Sequence, residues 1–107
     1  MSGISTHVLD LSTGRPVAGV ELRIERRGAG GWDSIGKHVT DADGRAHELT
    51  GDHGLTEGEY RLVFATGKVG SGFYPEVSVT FRVDDVHRHY HIPLLISPYG
   101  YTTYRGS

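Results

Sequence analysis

The sequence predicts an all-β domain, a sandwich of two antiparallel sheets built from about eight short strands. Three observations support this prediction. Apolar and polar residues alternate with a period of two in several separate runs, as they do on strands that bury one face. Turn signals rich in glycine and proline separate these runs, and the chain contains 16 glycines. No run has the spacing of a convincing amphipathic helix.

The strands are expected to follow one another with turns or loops between them. Their predicted ranges are 4–10, 20–26, 32–40, 45–49, 60–65, 77–83, 88–96 and roughly 100–105. Residues 60–65 are apolar on both faces, so we place this strand at the centre of a sheet. Around 66–70, within a glycine-rich stretch, we expect a short helical turn.

The strand predicted at 88–96 carries the strongest functional signal. One parity is apolar, and the other contains two histidines and a proline: Tyr90, Ile92, Leu94 and Ile96 against His89, His91 and Pro93. Because residues two apart share a face of a strand, the apolar set would pack into the core. The two imidazoles would then stand together on the opposite face. A core role does not account for them there, so they are candidates for a functional site.

Length and composition narrow the class of protein. The 107 residues fit one domain, 1–107, with a core of modest size. The formal net charge is −2, and the 11 basic and 13 acidic residues are interspersed, so no face for nucleic acid or membrane is indicated. No apolar run approaches the ~20 residues of a membrane span. Without cysteine or a recognisable secretory signal, we expect a cytoplasmic protein.

Four further stretches, together with the histidine strand, carry a family resemblance. They are Ser5-Thr6-His7-Val8-Leu9-Asp10, then Thr40-Asp41-Ala42-Asp43-Gly44-Arg45, then Ser97-Pro98-Tyr99 followed by the end Tyr104-Arg105-Gly106-Ser107. With these motifs the chain resembles the 5-hydroxyisourate hydrolases, the transthyretin-related enzymes of urate breakdown, from residue 4 to 107. The Tyr-Arg-Gly-Ser end is a specific signal, because it separates these enzymes from the hormone-carrying transthyretins.

The resemblance implies a fold, an activity and an assembly. The fold would be the transthyretin-like sandwich, with a short helix after the fifth strand. The activity would be hydrolysis of the small molecule 5-hydroxyisourate to 2-oxo-4-hydroxy-4-carboxy-5-ureidoimidazoline, without a metal or other cofactor. The assembly would be a homotetramer with its sites between dimers. The catalytic residues would be His7, Arg45, His91 and Ser107, and the substrate-binding residues His7, Arg45, Tyr104 and His89.

These residue types suit the opening of a cyclic amide. Histidine titrates near neutrality, so His7 or His91 can take a proton from water and return it to the leaving nitrogen. The sequence leaves the choice between the two open. Arg45 stays protonated and offers donors to the substrate and to the developing oxyanion. Tyr104 and Ser107 are expected to shape and close the pocket by hydrogen bonding.

Other interpretations of these residues have less support. His89 and His91 could hold zinc, with His7 as a third ligand if the fold brings it close. Residues 41–44 resemble a calcium loop only faintly, because Arg45 stands where an oxygen ligand is needed. The main functional rival is a transthyretin-like carrier of a small aromatic ligand, whose channel would have small or apolar groups in place of the histidines and arginine. An accessory domain of a secreted protein is disfavoured by the lack of cysteine.

Overall fold

In the computed structural model, which describes residues 3–106, two β-sheets enclose one core. Ten strands and one short 3-10 helix follow one another: β1 (Gly3–Asp10), β2 (Arg15–Pro16), β3 (Glu21–Gly28), β4 (Gly31–Val39), β5 (Arg45–Ala46), the helix (Gly51–His53), β6 (Gly58–Ala65), β7 (Glu76–Val83), β8 (His89–His91), β9 (Leu94–Ser97) and β10 (Gly100–Thr103). The first sheet has the order β10-β9-β1-β2, with β5 and β8 also paired to β1. The second has the order β4-β3-β6-β7. No helix among the described residues is long and apolar enough to cross a membrane.

The core lies between the sheets, where alternate residues of their strands turn apolar side chains towards one another. Its large, fully buried members come from both sheets: Ile4, Val8, Tyr90 and Leu94 from the first, and Ile24, Tyr60, Leu62 and Phe64 from the second. Burial of each such side chain contributes about 1.5–3 kcal/mol to folding. The predicted all-β sandwich is confirmed, and the strand expected at the centre is β6, between β3 and β7.

The histidine strand differs from the prediction. Instead of one strand over 88–96 there are two, β8 and β9, and both run parallel to β1. The ladder breaks before β9 because Pro93 has no N–H to donate. On either side of the break, the N–H of Ile92 donates to the Ser5 carbonyl at 2.9 Å, and the Thr6 hydroxyl donates to the Ile92 carbonyl at 2.6 Å. The first sheet is therefore mixed rather than wholly antiparallel.

Two short strands also differ from their predicted form. Arg15–Pro16, expected within a turn, pairs with the end of β1, after a turn in which Gly14 has a φ of 72°. The strand expected over 45–49 is shorter, because β5 contains only Arg45–Ala46. Glu48 adopts a positive φ of 49°, which is incompatible with an extended strand. The additional strand at Arg15–Pro16 and the division of the histidine strand into β8 and β9 raise the strand count from the expected eight to ten.

The prediction of a helical turn around 66–70 is wrong. These residues form successive turns, in which Val69 N–H donates to the Thr66 carbonyl and Gly72 N–H to the Val69 carbonyl. Gly70 and Gly72 have φ values of 57° and 73°, which a right-handed helix cannot continue. The 3-10 helix lies before β6 instead, at Gly51–His53.

Candidate active site

β1 forms the middle of the candidate site, with β5 on one side and β8 on the other. His7 stands opposite Arg45 in the antiparallel β1–β5 ladder, and Ser5 is in register with His91 in the parallel β1–β8 ladder. His89 lies two residues before His91 and shares its face. Thr6, between Ser5 and His7 on β1, and Tyr90, between His89 and His91 on β8, are buried in the core. The five side chains named above therefore lie on the opposite face of the first sheet. Four of the six residues predicted from the sequence thus come together.

A shallow cleft of about 230 Å³ opens over this face. Its lining residues are Ser5, Arg45, His47, His89 and His91. His47 was not selected from the sequence, although a signal was present. The strand predicted over 45–49 would have placed it on the same face as Arg45, two residues earlier. The cleft therefore contains three imidazoles, one guanidinium and one hydroxyl.

The turn before β5 positions Arg45 at the cleft. The Asp41 carboxylate accepts hydrogen bonds from the backbone N–H groups of Arg45, at 3.0 Å, and Asp43, at 2.9 Å. The bond from Arg45 is the main reason that the pKa of Asp41 lies below its ordinary value. The turn requires glycine at position 44, because Gly44 has a φ of 74° and a Cβ there would lie 2.6 Å from the Val8 carbonyl oxygen. Residues 41–44 thus form a turn that fixes the position of the Arg45 backbone at the start of β5.

One buried hydroxyl connects the two histidines of β8. Ser5 Oγ lies 2.7 Å from His89 Nε2 and 2.8 Å from His91 Nδ1. The Ser5 side chain belongs to a residue that is only 3% exposed, whereas His89 is exposed and His91 is partly buried. A buried group with few rotamers holds its partners in place, so Ser5 fixes the orientation of both rings. The remaining ring nitrogen of His91, Nε2, is on the far side of the ring from Ser5.

The surroundings of His91 favour its neutral form. Burial lowers the pKa of His91 below its ordinary value, and the positive charge of Arg45 lowers that pKa further. Protonated His89, His7 and His47 would act in the same direction. A neutral imidazole at neutral pH has a lone pair available to accept a proton. His91 is therefore suited to act as a general base.

The end of the chain reaches the same ring. Gly106 N–H donates to the His91 carbonyl at 2.8 Å, and the two residues form an isolated antiparallel bridge. A Cβ on Gly106 would lie 2.6 Å from His91 Cδ2, so only glycine allows this approach. Ser107, predicted as a catalytic residue, lies outside the described residues. Its neighbour Gly106 nevertheless brings the chain to the edge of the His91 imidazole.

Comparison with known families agrees with this fold. The sequence profile of the HIUase/Transthyretin family matches residues 4–106. The chain belongs to this family. A relative in Caulobacter vibrioides, a 5-hydroxyisourate hydrolase, is 45% identical, and the match covers 100% of both chains.

Solved structures similar to this chain include both a 5-hydroxyisourate hydrolase and a transthyretin. The 5-hydroxyisourate hydrolase of Klebsiella pneumoniae superimposes with a TM-score of 0.83 at 34% identity, over 100% of each chain. Sea bream transthyretin, solved in complex with thyroxine, superimposes with a TM-score of 0.87 at 33% identity, over 96% of this chain and 93% of the other. The fold is common to both, so the site residues must distinguish the two functions.

Tyr104 lies apart from the cleft in this chain. It is 56% exposed and lines a separate cavity of about 210 Å³, together with Phe81 and Tyr90. The guanidinium of Arg105 lies 4.6 Å from the centre of the Tyr90 ring in the same region. Because Tyr90 points into the core, this cavity is on the opposite side of β8 from the histidines. Within one chain, Tyr104 does not join the predicted site.

The zinc arrangement considered from the sequence is not formed. Within residues 3–106, no three side chains of histidine, aspartate or glutamate converge so as to hold a metal ion. His89 and His91 instead share the hydroxyl of Ser5 through one nitrogen each. The arrangement that the chain forms is a pair of hydrogen-bonded imidazoles beside an arginine.

Proposed function

We propose that the chain is a 5-hydroxyisourate hydrolase, which opens the ring of its substrate to give 2-oxo-4-hydroxy-4-carboxy-5-ureidoimidazoline. One observation carries this proposal. The cleft places the partly buried His91, whose pKa is lowered by burial and by Arg45, next to the permanent charge of that arginine. Relatives that bear the name 5-hydroxyisourate hydrolase support the same activity.

The proposed reaction is a water attack on a cyclic amide. His91 takes a proton from water as the water oxygen attacks the carbonyl carbon, a contribution of ~10²–10⁴-fold in rate for a general base. Arg45 donates to the oxyanion that forms, and loss of one such donor costs about 10²–10³-fold. The carbon–nitrogen bond then breaks, and the leaving nitrogen receives the proton. His7, opposite Arg45, completes the proton-handling pair, and a positive charge on its ring would disfavour protonation of His91.

Substrate binding is assigned to the charged and ring-bearing side chains beside His91. His7, Arg45 and His89 offer ring and guanidinium nitrogens to the flat polar substrate. Ser107 is proposed to close the pocket, a role supported by the contact of Gly106 with His91. A contribution from Tyr104 stays a prediction, because its ring lies in the neighbouring cavity of the same chain.

The proposal includes an assembly and a location. Arg45, His47 and His89 are exposed, and such a surface stabilises an oxyanion poorly unless water is excluded. A homotetramer would cover this face, and the exposed rings of Phe73 and Tyr99 supply apolar surface for association. Sedimentation analysis tests the assembly, and a fully active monomer would contradict it. Fractionation of expressing cells tests the predicted cytoplasmic location.

The deciding experiment follows the ultraviolet absorbance of freshly generated 5-hydroxyisourate. We expect fast decay with the intact chain, and a loss of about 10²–10⁴-fold in His91→Asn. His53→Asn, a histidine in the 3-10 helix outside the cleft, is the matched control and should keep full activity. Removal of residues 104–107 should abolish the decay without unfolding the chain.

Decay at the spontaneous rate with a folded intact chain would remove the hydrolase function. The carrier function would then be tested by titration with small aromatic ligands. The charged and hydrogen-bonding lining of the cleft, Arg45 with three histidines, disfavours that function at present, because a carrier of apolar ligands needs an apolar channel.

A further inference from the structure

Ser5 stands between two imidazoles and cannot treat them alike. Its Oγ is within hydrogen-bonding distance of His89 Nε2, at 2.7 Å, and of His91 Nδ1, at 2.8 Å. A serine hydroxyl has one proton, and within residues 3–106 Ser5 Oγ has no hydrogen-bond partner other than these two rings. If that proton is used, Ser5 donates to one ring and accepts an N–H from the other. The tautomers of the two rings are therefore linked through a residue that is 3% exposed. A change at one ring forces a matching change at the other.

Two arrangements use the Ser5 hydroxyl proton in one of these hydrogen bonds. In the first, His91 Nδ1–H donates to Ser5, and Ser5 donates to His89 Nε2, which leaves the lone pair of His91 Nε2 free. In the second, His89 Nε2–H donates to Ser5, and Ser5 donates to His91 Nδ1, so that His91 carries its proton on Nε2. The first arrangement makes His91 a base and the second makes it an acid.

We propose that Ser5 relays a proton between His91 and His89 during the reaction. The inference rests on the proposed hydrolase function. The attacking water gives a proton to His91 Nε2, His91 Nδ1 gives its proton to Ser5 Oγ, and Ser5 gives its original proton to His89 Nε2. His91 remains neutral, Ser5 remains a hydroxyl, and His89 becomes the imidazolium. The reverse transfer follows when His91 Nε2–H protonates the leaving nitrogen.

The relay puts the positive charge where the surroundings tolerate it. His91 is partly buried and near Arg45, so a second cation there would be poorly solvated and repelled. His89 is exposed to water, which stabilises its charge. The other groups that face the pair are His7 on β1 and His47 after β5, both of which can add positive charge but not remove it. Each of these groups disfavours a positive charge on His91.

Nuclear magnetic resonance of protein labelled with ¹⁵N in histidine tests the relay without any substrate. As pH falls and His89 becomes charged, His91 should switch from an Nδ1–H to an Nε2–H tautomer at the same midpoint. In Ser5→Ala the two rings should titrate independently, and the switch should be absent. Ser34→Ala, an exposed serine on β4, is the control and should behave as the wild type. An unchanged switch in Ser5→Ala would overturn the relay even if the chain is an active hydrolase.

Kinetics test the same inference during turnover. Ser5→Ala and His89→Gln should each lower kcat about 10-fold or more with little change in KM, because the lost step is proton transfer. The double variant should lose no more than either single variant, since both break one relay. Independent, multiplying losses or full kcat in His89→Gln would overturn it. His89 is exposed, so its variant tests the inference even if Ser5→Ala fails to fold.

Discussion

Gly106→Ala isolates the contact between the chain end and the His91 ring. The added Cβ would lie 2.6 Å from His91 Cδ2 and 3.3 Å from Cγ. Since carbon atoms in contact settle at about 3.5–4.0 Å, the ring or the chain end must move by about 1 Å. A misplacement of about 1 Å can cost about 100-fold in rate. We therefore expect kcat/KM to fall about 100-fold, which corresponds to about 2.7 kcal/mol of transition-state stabilisation.

The stability of this variant should change far less than its activity. At most one backbone hydrogen bond, from Gly106 N–H to the His91 carbonyl, is at risk, and such a bond contributes about 0.5–1.5 kcal/mol. Gly30→Ala is the matched control, because Gly30 has open space around it and no positive φ. The measurements are hydroxyisourate decay and urea unfolding for all three proteins. Wild-type kcat/KM in Gly106→Ala, or a loss explained by unfolding, would refute the reasoning.

Three further predictions concern pH and stability. Because burial lowers the pKa of His91, the acid limb of the pH profile of kcat/KM should lie below the usual histidine pKa of about 6.5. In urea unfolding at different pH values, the contribution of His91 to stability should be complete above about pH 6.5. It should decline as the pH falls from there to the lower pKa of the folded state. Glu48→Gly should raise the free energy of unfolding by up to about 1 kcal/mol in urea, because Glu48 is the one non-glycine among the described residues with a positive φ. Tyr90→Phe should lower it by roughly 1–2 kcal/mol in the same assay, because the Tyr90 hydroxyl donates to Asp84 and accepts from the Asp85 N–H.

Most of the fold could be predicted because strand formation leaves a local record. Period-two alternation identified β1, β3, β6 and β7 within a few residues of their observed bounds. The errors occur where pairing depends on distant partners. Arg15–Pro16 is a strand only because β1 is beside it, and the break before β9 follows from Pro93 lying in a ladder position.

The candidate site was predictable in its residue types and only partly in its geometry. Parity placed His89 and His91 on one face, and the resemblance added His7 and Arg45. His47 was missed because the resemblance did not include it, although a strand over 45–49 places it on the same face as Arg45. Tyr104 was expected in the site, but its side chain lies beyond the end of β10, in the cavity beside Tyr90.

The sequence by itself determined most of the longer strands, their inward faces and the chemistry that the exposed histidines and arginine can perform. Only the tertiary structure decided which of them meet. β1 pairs with β5 on one edge and with β8 on the other, which joins segments more than 80 residues apart in the chain. Alternation within a strand is a local property of the backbone, whereas pairing between strands depends on how the whole core packs. The shared hydroxyl of Ser5 is a product of that pairing.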